Sequence, residues 1–443
     1  MSWKAAARRD PGGYYHYRTE RGSVRIFMTE TLFRDMEESL GDQIGNARRF
    51  PGVLDVVITP DAHTGYGVPV GCVMATSGTL AMGPVGYDIG CGMAALRSSV
   101  ARDQATPERV REFSKRVMRR VGLGAGSRGQ SVTRERFEEV VRGGAEALGA
   151  HRGQAERDRI PVEDGWQVPK DSRAWRGQHQ LGSLGGGNHF IELQTDGERL
   201  WVMFHTGSRG FGHGLASYYF ELAMEELGLR RGEMDLGYFT PESRHWRDYK
   251  NAVAAGGNFA IANRLIIGRE VARVFEEVFG EEPELVYEIS HNLAQEERHP
   301  DLFDRPVWIH RKGATRALPA GHPLLAGTRW QTTGHPVLIP GSMGDTSYVL
   351  RPLPGAARSL YSVNHGCGRR MSRSAARREI SQAEANRRMK DLGVLVNAGG
   401  SVPIDESPAC YKPAEEVVRA VTEAGLAEVE TRLTPIASIK GND

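Results

Sequence analysis

The sequence predicts an α/β fold, with mixed β-sheets surrounded by helices in one large domain spanning 1–443. Three observations carry that reading. Short runs rich in Val and Ile, broken by Gly and Pro, alternate with long helical stretches. No linker or low-complexity tract divides the chain. Polar motifs flanked by glycine recur from residue 61 to residue 440 at the ends of apolar runs, so they can share a site only if the whole chain folds around it.

Taken in order, the first stretch, "MSWKAAARRDPGGYYHY", is charged but lacks an apolar segment after its basic residues, unlike a secretory signal. No apolar run approaches the roughly 20 residues of a membrane helix, and the expected location is cytoplasmic. "GVLDVVITPDAHTGYGVPVGCVMAT" (52–76) reads as short strands, and "RLWVMFHTGSRGFG" (199–212) as a strand running into a glycine loop. Between them lies an expected helical insertion near 103–175. Thr106 caps Pro107 there, and Val110, Phe113, Val117 and Val121 recur at helical spacing. "NFAIANRLIIGREVARVFEEVFG" (258–280) predicts a long amphipathic helix stopped by Gly280, and 372–393 another with a basic face.

With 40% hydrophobic and 25% charged residues the chain has the balance of a soluble globular protein. A net charge of +2 excludes a polycation, so any nucleic-acid contact must come from local Arg and Lys clusters. Four cysteines over 443 residues do not make a disulfide framework. Cys72 and Cys410 read as packing residues, which leaves Cys91 and Cys367 inside polar motifs.

Six stretches concentrate metal- and phosphate-binding residue types: "PDAHTGYG", "GYDIGCG", "GGGNHFIE", "FHTGSRGFGH", "ISHNLA" and "NHGCGRRMSR". Each alone is weak, since a single His after a strand is usually structural and a single GGG is usually a turn. Together they resist a packing explanation, because a core gains nothing from repeatedly setting His beside Gly. Asp88 and Cys91 can point at one spot from a tight loop, and His189, His205 and His291 offer three imidazoles from separate strand ends. Five ligands exceed one closed tetrahedral site, but a thiolate can bridge two ions. Softness alone favours zinc. The competing reading makes Cys91 a small buried hydrophobe and Asp88 a loop cap. Gly185–Gly187 leave backbone N–H groups free for an anion, Asn188 adds a donor, and "IPGSMGDTSYV" (339–349) could hold a nucleotide edge. Neither a P-loop nor a GxGxxG dinucleotide unit is present.

At these residues the chain resembles the RtcB family of RNA ligases. "GYDIGCG", "GGGNHF", "HTGSRG", "HRKGATRA", "IPGSMG" and "HGCGR" carry the likeness from about Pro60 to Lys440. The resemblance implies an RtcB-like domain with a deep metal pocket. It implies a GTP- and manganese-dependent enzyme joining RNA 3′-phosphate or 2′,3′-cyclic phosphate ends to 5′-hydroxyl ends, in tRNA splicing or RNA repair. Two Mn2+ ions would be held by Asp88, Cys91, His189, His205 and His291, with Cys91 between them, and His365 would be the guanylylated nucleophile. GTP would be held by Asn188, His189, Phe190, Ile191, Glu192, His291, Asn292, Pro340, Gly341, Ser342, Met343, Ser347, Gly366, Cys367, Gly368 and Lys440, around His365. The chain departs from the family at Asn364, commonly Ser, Thr or Cys, and at Cys367, commonly Ala.

Arg209, Lys312, Arg316 and Arg369, with Arg373, are candidates for RNA or nucleotide phosphates; surface ion pairing is the alternative. His63 with Asp61 reads as a second layer orienting a ligand imidazole. The expected partner is RNA, with archease as a possible activator and a monomer as the expected state. The rival function is a dinuclear phosphoesterase that forms no covalent nucleotide.

Overall fold

In the computed structural model, which describes residues 2–149 and 159–441, Val53–His63 and Val70–Thr76 pair as antiparallel strands. Their register slips between Ile58 and His63, where Pro60 has no N–H to give the ladder. That irregularity releases Asp61 from the regular alternation of side chains. The two strands lie inside a seven-stranded sheet running Arg8–Asp10, Tyr14–Thr19, Gly22–Ile26, Val53–His63, Val70–Thr76, Val307–Lys312, Asn292–Glu297.

A second sheet runs Glu284–Ser290, Gly92–Ala101, Arg199–Thr206, Phe190–Thr195, Ala427–Ile439, Ser347–Pro352, Val337–Ile339. Most pairs are antiparallel, but Gly22–Ile26 lies parallel to Val53–His63 and Leu395–Val396 parallel to Ala427–Ile439, so the sheets are mixed as expected. The chain crosses from the second sheet to the first between Ser290 and Asn292, and His291 is the joint.

Helices cover these sheets. Thr106 accepts a hydrogen bond from Arg109 N (3.4 Å) at the start of Pro107–Arg120, and Thr133 accepts from Arg136 N (3.2 Å) at the start of Arg134–Gly143, as side-chain caps do. Phe113 of the first packs on Phe275 and Phe279, and Phe137 of the second on Phe211 and Phe259, so both sit against the body of the protein. Residues 150–158 of the expected insertion lie outside the described residues.

Three helices differ from expectation for definable reasons. The glycine stretch after Thr206 is the opening of a helix, Arg209–Leu227, rather than a loop. Glycine is needed there for close approach: a Cβ at Gly214 would lie 2.3 Å from Ala174 N. The expected helix at 258–280 is longer, Trp246–Phe279, with Gly280 at φ 88° ending it, and it is buried along most of its length instead of presenting a wet face. Its buried polar groups are spent on neighbouring backbone. Asn258 bonds Val141 O, Ile160 O and Ile160 N, and Asn263 bonds Ser183 O, Gly207 O and Gly182 N. The stretch 372–393 breaks into Arg373–Glu379 and Gln382–Asp391, because Ser381 caps the second helix by accepting from Glu384 N. Among the described residues no helix is long and apolar enough to cross a membrane.

Arg264 of the long helix is fully buried. Its guanidinium pairs with Glu288 and donates to Gly90 O (2.6 Å), Thr206 O (3.0 Å) and Ser290 Oγ (2.8 Å). Removing one partner of a buried ion pair strands the other, so Arg264→Met is expected to cost about 3–5 kcal/mol, read by chemical denaturation. Restoring Lys at 264 should recover only part, because an ammonium lacks the planar fork that reaches three strand ends.

Candidate functional site

The tight turn Asp88–Cys91 is closed by Cys91 N donating to Asp88 O (3.1 Å). Gly90 within it has φ 79°, and a Cβ there would lie 2.8 Å from Ala260 Cβ, so the turn needs glycine both for its backbone and for its packing. Cys91 Sγ then lies 3.1 Å from His205 Nε2 and 3.4 Å from His189 Nε2, and Asp88 Oδ2 lies 3.2 Å from His189 Nε2. His205 Nε2 is 3.1 Å from His291 Nε2. Cys91, His189 and His205 form a buried triad whose ligand atoms all lie within 4.8 Å of one another.

The tautomers bear on what such a cluster can hold. His189 Nδ1 faces Leu184 O (2.8 Å) and His205 Nδ1 faces Asn188 O (3.2 Å). A carbonyl only accepts, so both rings carry their proton on Nδ1 and aim an Nε2 lone pair at the thiol. Imidazole nitrogens and a sulfur converging at such distances are the donor set that a borderline-soft cation takes. Burial, followed by the neighbouring imidazoles, holds His205 and His291 well below the usual histidine range, which keeps them neutral and fit to ligate. Burial and Asp88 push the Cys91 thiol well above its usual range, a shift that coordination reverses. Burial alone would raise the Asp88 carboxyl, but the His189 ring beside it brings it below the usual range; Asp88 also accepts from Ser208 N (3.0 Å).

His365 stands beside this cluster, its ring centroid 4.8 Å from that of His291. Asp61, freed by the slipped register, accepts from His365 Nδ1 (2.6 Å) and from the backbone N–H groups of His365 (3.1 Å) and Gly366 (3.3 Å). Thr59 Oγ1 donates to its other oxygen (2.6 Å). Burial would raise the Asp61 carboxyl, yet the His365 ring against it outweighs burial and the pKa is lowered. With Nδ1–H committed to Asp61, His365 keeps its Nε2 lone pair available.

The ring of His365 borders a cavity of ≈ 400 Å³. On its walls are Asn188 from a turn, Phe190 and Glu192 from the strand that follows it, Pro340–Met343 from the Gly/Ser loop, Gly366–Gly368, and Lys440. Burial lifts Glu192 to about 7, and Lys440 Nζ reaches Glu406 Oε2 at 3.1 Å.

A family model described as tRNA-splicing ligase RtcB matches residues 43–441. The chain belongs to the RtcB family. It is 35% identical to the tRNA-splicing ligase RtcB of Thermococcus kodakarensis over 94% of either chain, and 34% identical to that of Pyrobaculum aerophilum over the same shares. The RNA-splicing ligase RtcB of Mycobacterium tuberculosis is 35% identical over 90% of this chain and all of its own.

Set against the residues that RtcB resemblance implies, the fold brings Asp88, Cys91, His189, His205 and His291 together and puts His365 next to them. Ile191 is placed otherwise. Strand alternation turns Phe190 and Glu192 to the cavity and Ile191 into the core with Leu193 and Phe204. Asn292 and Ser347 lie behind the wall, bracing it: Asn292 accepts from Gly313 N (2.7 Å) and Ser347 Oγ from Gly341 N (3.0 Å).

The phosphate candidates divide. Arg209 and Arg373 line a second cavity of ≈ 770 Å³ beside Asp88, together with Arg176 and Arg377. Arg369 borders the first cavity while holding Glu406 Oε1 (3.2 Å) and Asp405 O (2.7 Å). Lys312 and Arg316 are buried. Lys312 Nζ donates to Tyr66 O (2.7 Å) and Val68 O (3.1 Å), and Arg316 lies 3.7 Å from Glu297, so their charge is spent inside the protein and not on a phosphate. Asp61 is likewise reassigned: it orients the ring of His365 and not a ligand imidazole.

Arg264 and the role of Asp61 escaped the sequence reading. The signal for the first was a lone Arg amid Ala, Asn, Ile and Leu in "NFAIANRLIIG", and for the second an Asp directly after a proline inside a strand. A ligand that binds only the folded state at 100 times its dissociation constant stabilises by about 2.7 kcal/mol. If the cluster takes a divalent cation, that cation titrated into the protein is therefore expected to raise the thermal midpoint, and Cys91→Ala to abolish most of that rise, as followed by calorimetry.

Proposed function

We propose that this protein is a GTP- and manganese-dependent RNA ligase that joins 3′-phosphate or 2′,3′-cyclic phosphate ends to 5′-hydroxyl ends through a guanylylated His365. The observation that carries the reading is the His365 ring. Its Nδ1 is held by buried Asp61 at 2.6 Å, beside a cation-binding cluster and on the wall of a nucleotide-sized cavity. Asp88, Cys91, His189, His205 and His291 would hold two manganese ions, with Cys91 shared. Bound there, the metal supplies positive charge to phosphate oxygens and a template for in-line displacement. The family likeness supports manganese over the zinc that softness alone favours.

A 3′-phosphate is a poor electrophile because its leaving group would be oxide. His365 Nε2 attacks the α-phosphorus of GTP, a P–N bond forms, and the bond to pyrophosphate breaks. Asp61 keeps the ring in the correct tautomer and stabilises the charge that develops on it, as an acid partner does for a catalytic histidine. An oxygen of the RNA 3′-phosphate then takes the guanylyl group from nitrogen, making a mixed anhydride, and the 5′-hydroxyl attacks the RNA phosphorus and expels GMP. A cyclic phosphate must first be opened by water to the 3′-monophosphate. The groups this scheme uses run from Asp61 to Lys440, so the reading treats 1–443 as one catalytic domain, acting as a cytoplasmic monomer with archease a candidate activator.

The rival phosphoesterase would use the same metals without a covalent nucleotide, and labelled GTP separates the two. Incubated with manganese and denatured, the wild type is expected to carry acid-labile, base-stable label, and His365→Ala to lose the label while keeping its metal. Absence of label from the wild type would sink the ligase reading. Asp61→Asn keeps the shape but can turn its amide N–H toward Nδ1, favouring the wrong tautomer. The rate of labelling is expected to fall on the order of 10²–10⁴-fold, measured by single-turnover kinetics.

A further inference from the structure

Among the described large apolar and aromatic side chains, three are exposed: Leu54, Leu392 and Tyr66, the last at 68%. Tyr66 differs from the other two in where it stands and in how firmly its backbone is held. Gln43 bonds both Gly65 O (2.8 Å) and Gly65 N (3.0 Å), Asn46 Nδ2 donates to Gly67 O (2.9 Å), and the buried ammonium of Lys312 donates to Tyr66 O and Val68 O. Burying a lysine to hold a surface loop is costly, and a loop with no task would not need it. The result is a ring standing in water on a firmly held backbone.

Tyr66 begins a row. Its ring meets Tyr87 edge-on at 6.3 Å, and Tyr87 stacks on His213 at 5.3 Å with 29° between the planes. Tyr87 rests at 4.7 Å on buried Phe220, which ties the row to the core. The row spans two openings: Tyr66 borders the cavity that holds His365, and His213 borders the cavity that holds Asp88, Arg176, Arg209 and Arg377.

We propose that Tyr66, Tyr87 and His213 form a stacking platform for an unpaired nucleobase at an RNA end, while the guanidinium groups of the adjoining cavity take its phosphates. The proposal rests on the RNA-ligase reading and extends it. Every base has a π-face, so aromatic rings bind unpaired RNA without regard to sequence, and cationic grooves track the backbone. A protein partner would also cover an exposed tyrosine, but a cavity lined by four arginines suits a polyanion better.

Single-stranded RNA oligonucleotides test this, one with 2-aminopurine at a 3′-phosphorylated end and one with it at a 5′-hydroxyl end. Binding to the full-length wild type is expected to quench at least one of the two probes, and which one identifies the strand that stacks. Tyr66→Leu, which keeps bulk but loses the ring, should remove the quench, weaken binding about tenfold and raise the ligation KM for RNA with little change in kcat; Tyr66→Trp should restore all three. His213→Ala, at an exposed position, should weaken binding in the same sense. If the wild type joins RNA but Tyr66→Leu retains quench and KM, the platform is wrong and the ligase reading stands. A wild type that neither binds nor joins RNA overturns both.

Discussion

The guanidinium of Arg264 is the contact on which the site depends. Besides Glu288, its hydrogen-bond acceptors are Gly90, Thr206 and Ser290, and each is the sequence neighbour of a cluster residue: Cys91, His205 and His291. One planar cation, fully buried and neutralised by Glu288, ties three strand ends together just where their next side chains must converge. Arginine suits the task because its donors are fixed in a plane and cannot lose their charge in a dry interior. The long helix that carries it is interior for the same reason. Asn258 and Asn263 satisfy loop backbone that would otherwise be buried without partners.

Convergence of this kind concentrates repulsion as well as ligands. Burial and the neighbouring imidazoles hold His205 and His291 well below the usual histidine range, and the thiol is kept from ionising by burial and by Asp88. A cation taken up by such a cluster would couple its binding to the stability of the strand ends. His365 joins the same construction from a separate two-stranded ladder, Ala314–Arg316 with Ser362–Asn364. The partner segment Ala314–Arg316 follows Lys312, whose side chain in turn holds the Tyr66 loop, so His365, cavity wall and exposed ring share one short stretch of scaffold.

The buried charges outside the site show the same economy. Arg311 makes paired hydrogen bonds of 2.6 and 3.0 Å to Glu297, which also takes His299 at 2.8 Å, beneath the strand that leads to His365. Arg311 Nε reaches Ser362 Oγ at 2.8 Å, two residues before Asn364. Motifs such as "HRKGATRA" thus look basic in sequence while much of their charge is internal.

Local sequence was enough to define the strands at 52–76, the capped helices after Thr106 and Thr133, and the set of Asp, Cys and His residues that meet. Side-chain caps, alternation and glycine turns act over a few residues, so they are legible without the fold. The family likeness rests on the same short motifs. Tertiary structure alone decided the length and burial of the helix at 246–279, the inward turn of Ile191, the interior placement of Lys312 and Arg316, and the pairing of Asp61 with His365 across 304 positions. Each of these depends on which partner lies opposite a residue, and a charge or a carboxylate reads the same in sequence whether its partner is water, a backbone carbonyl or an imidazole from another sheet.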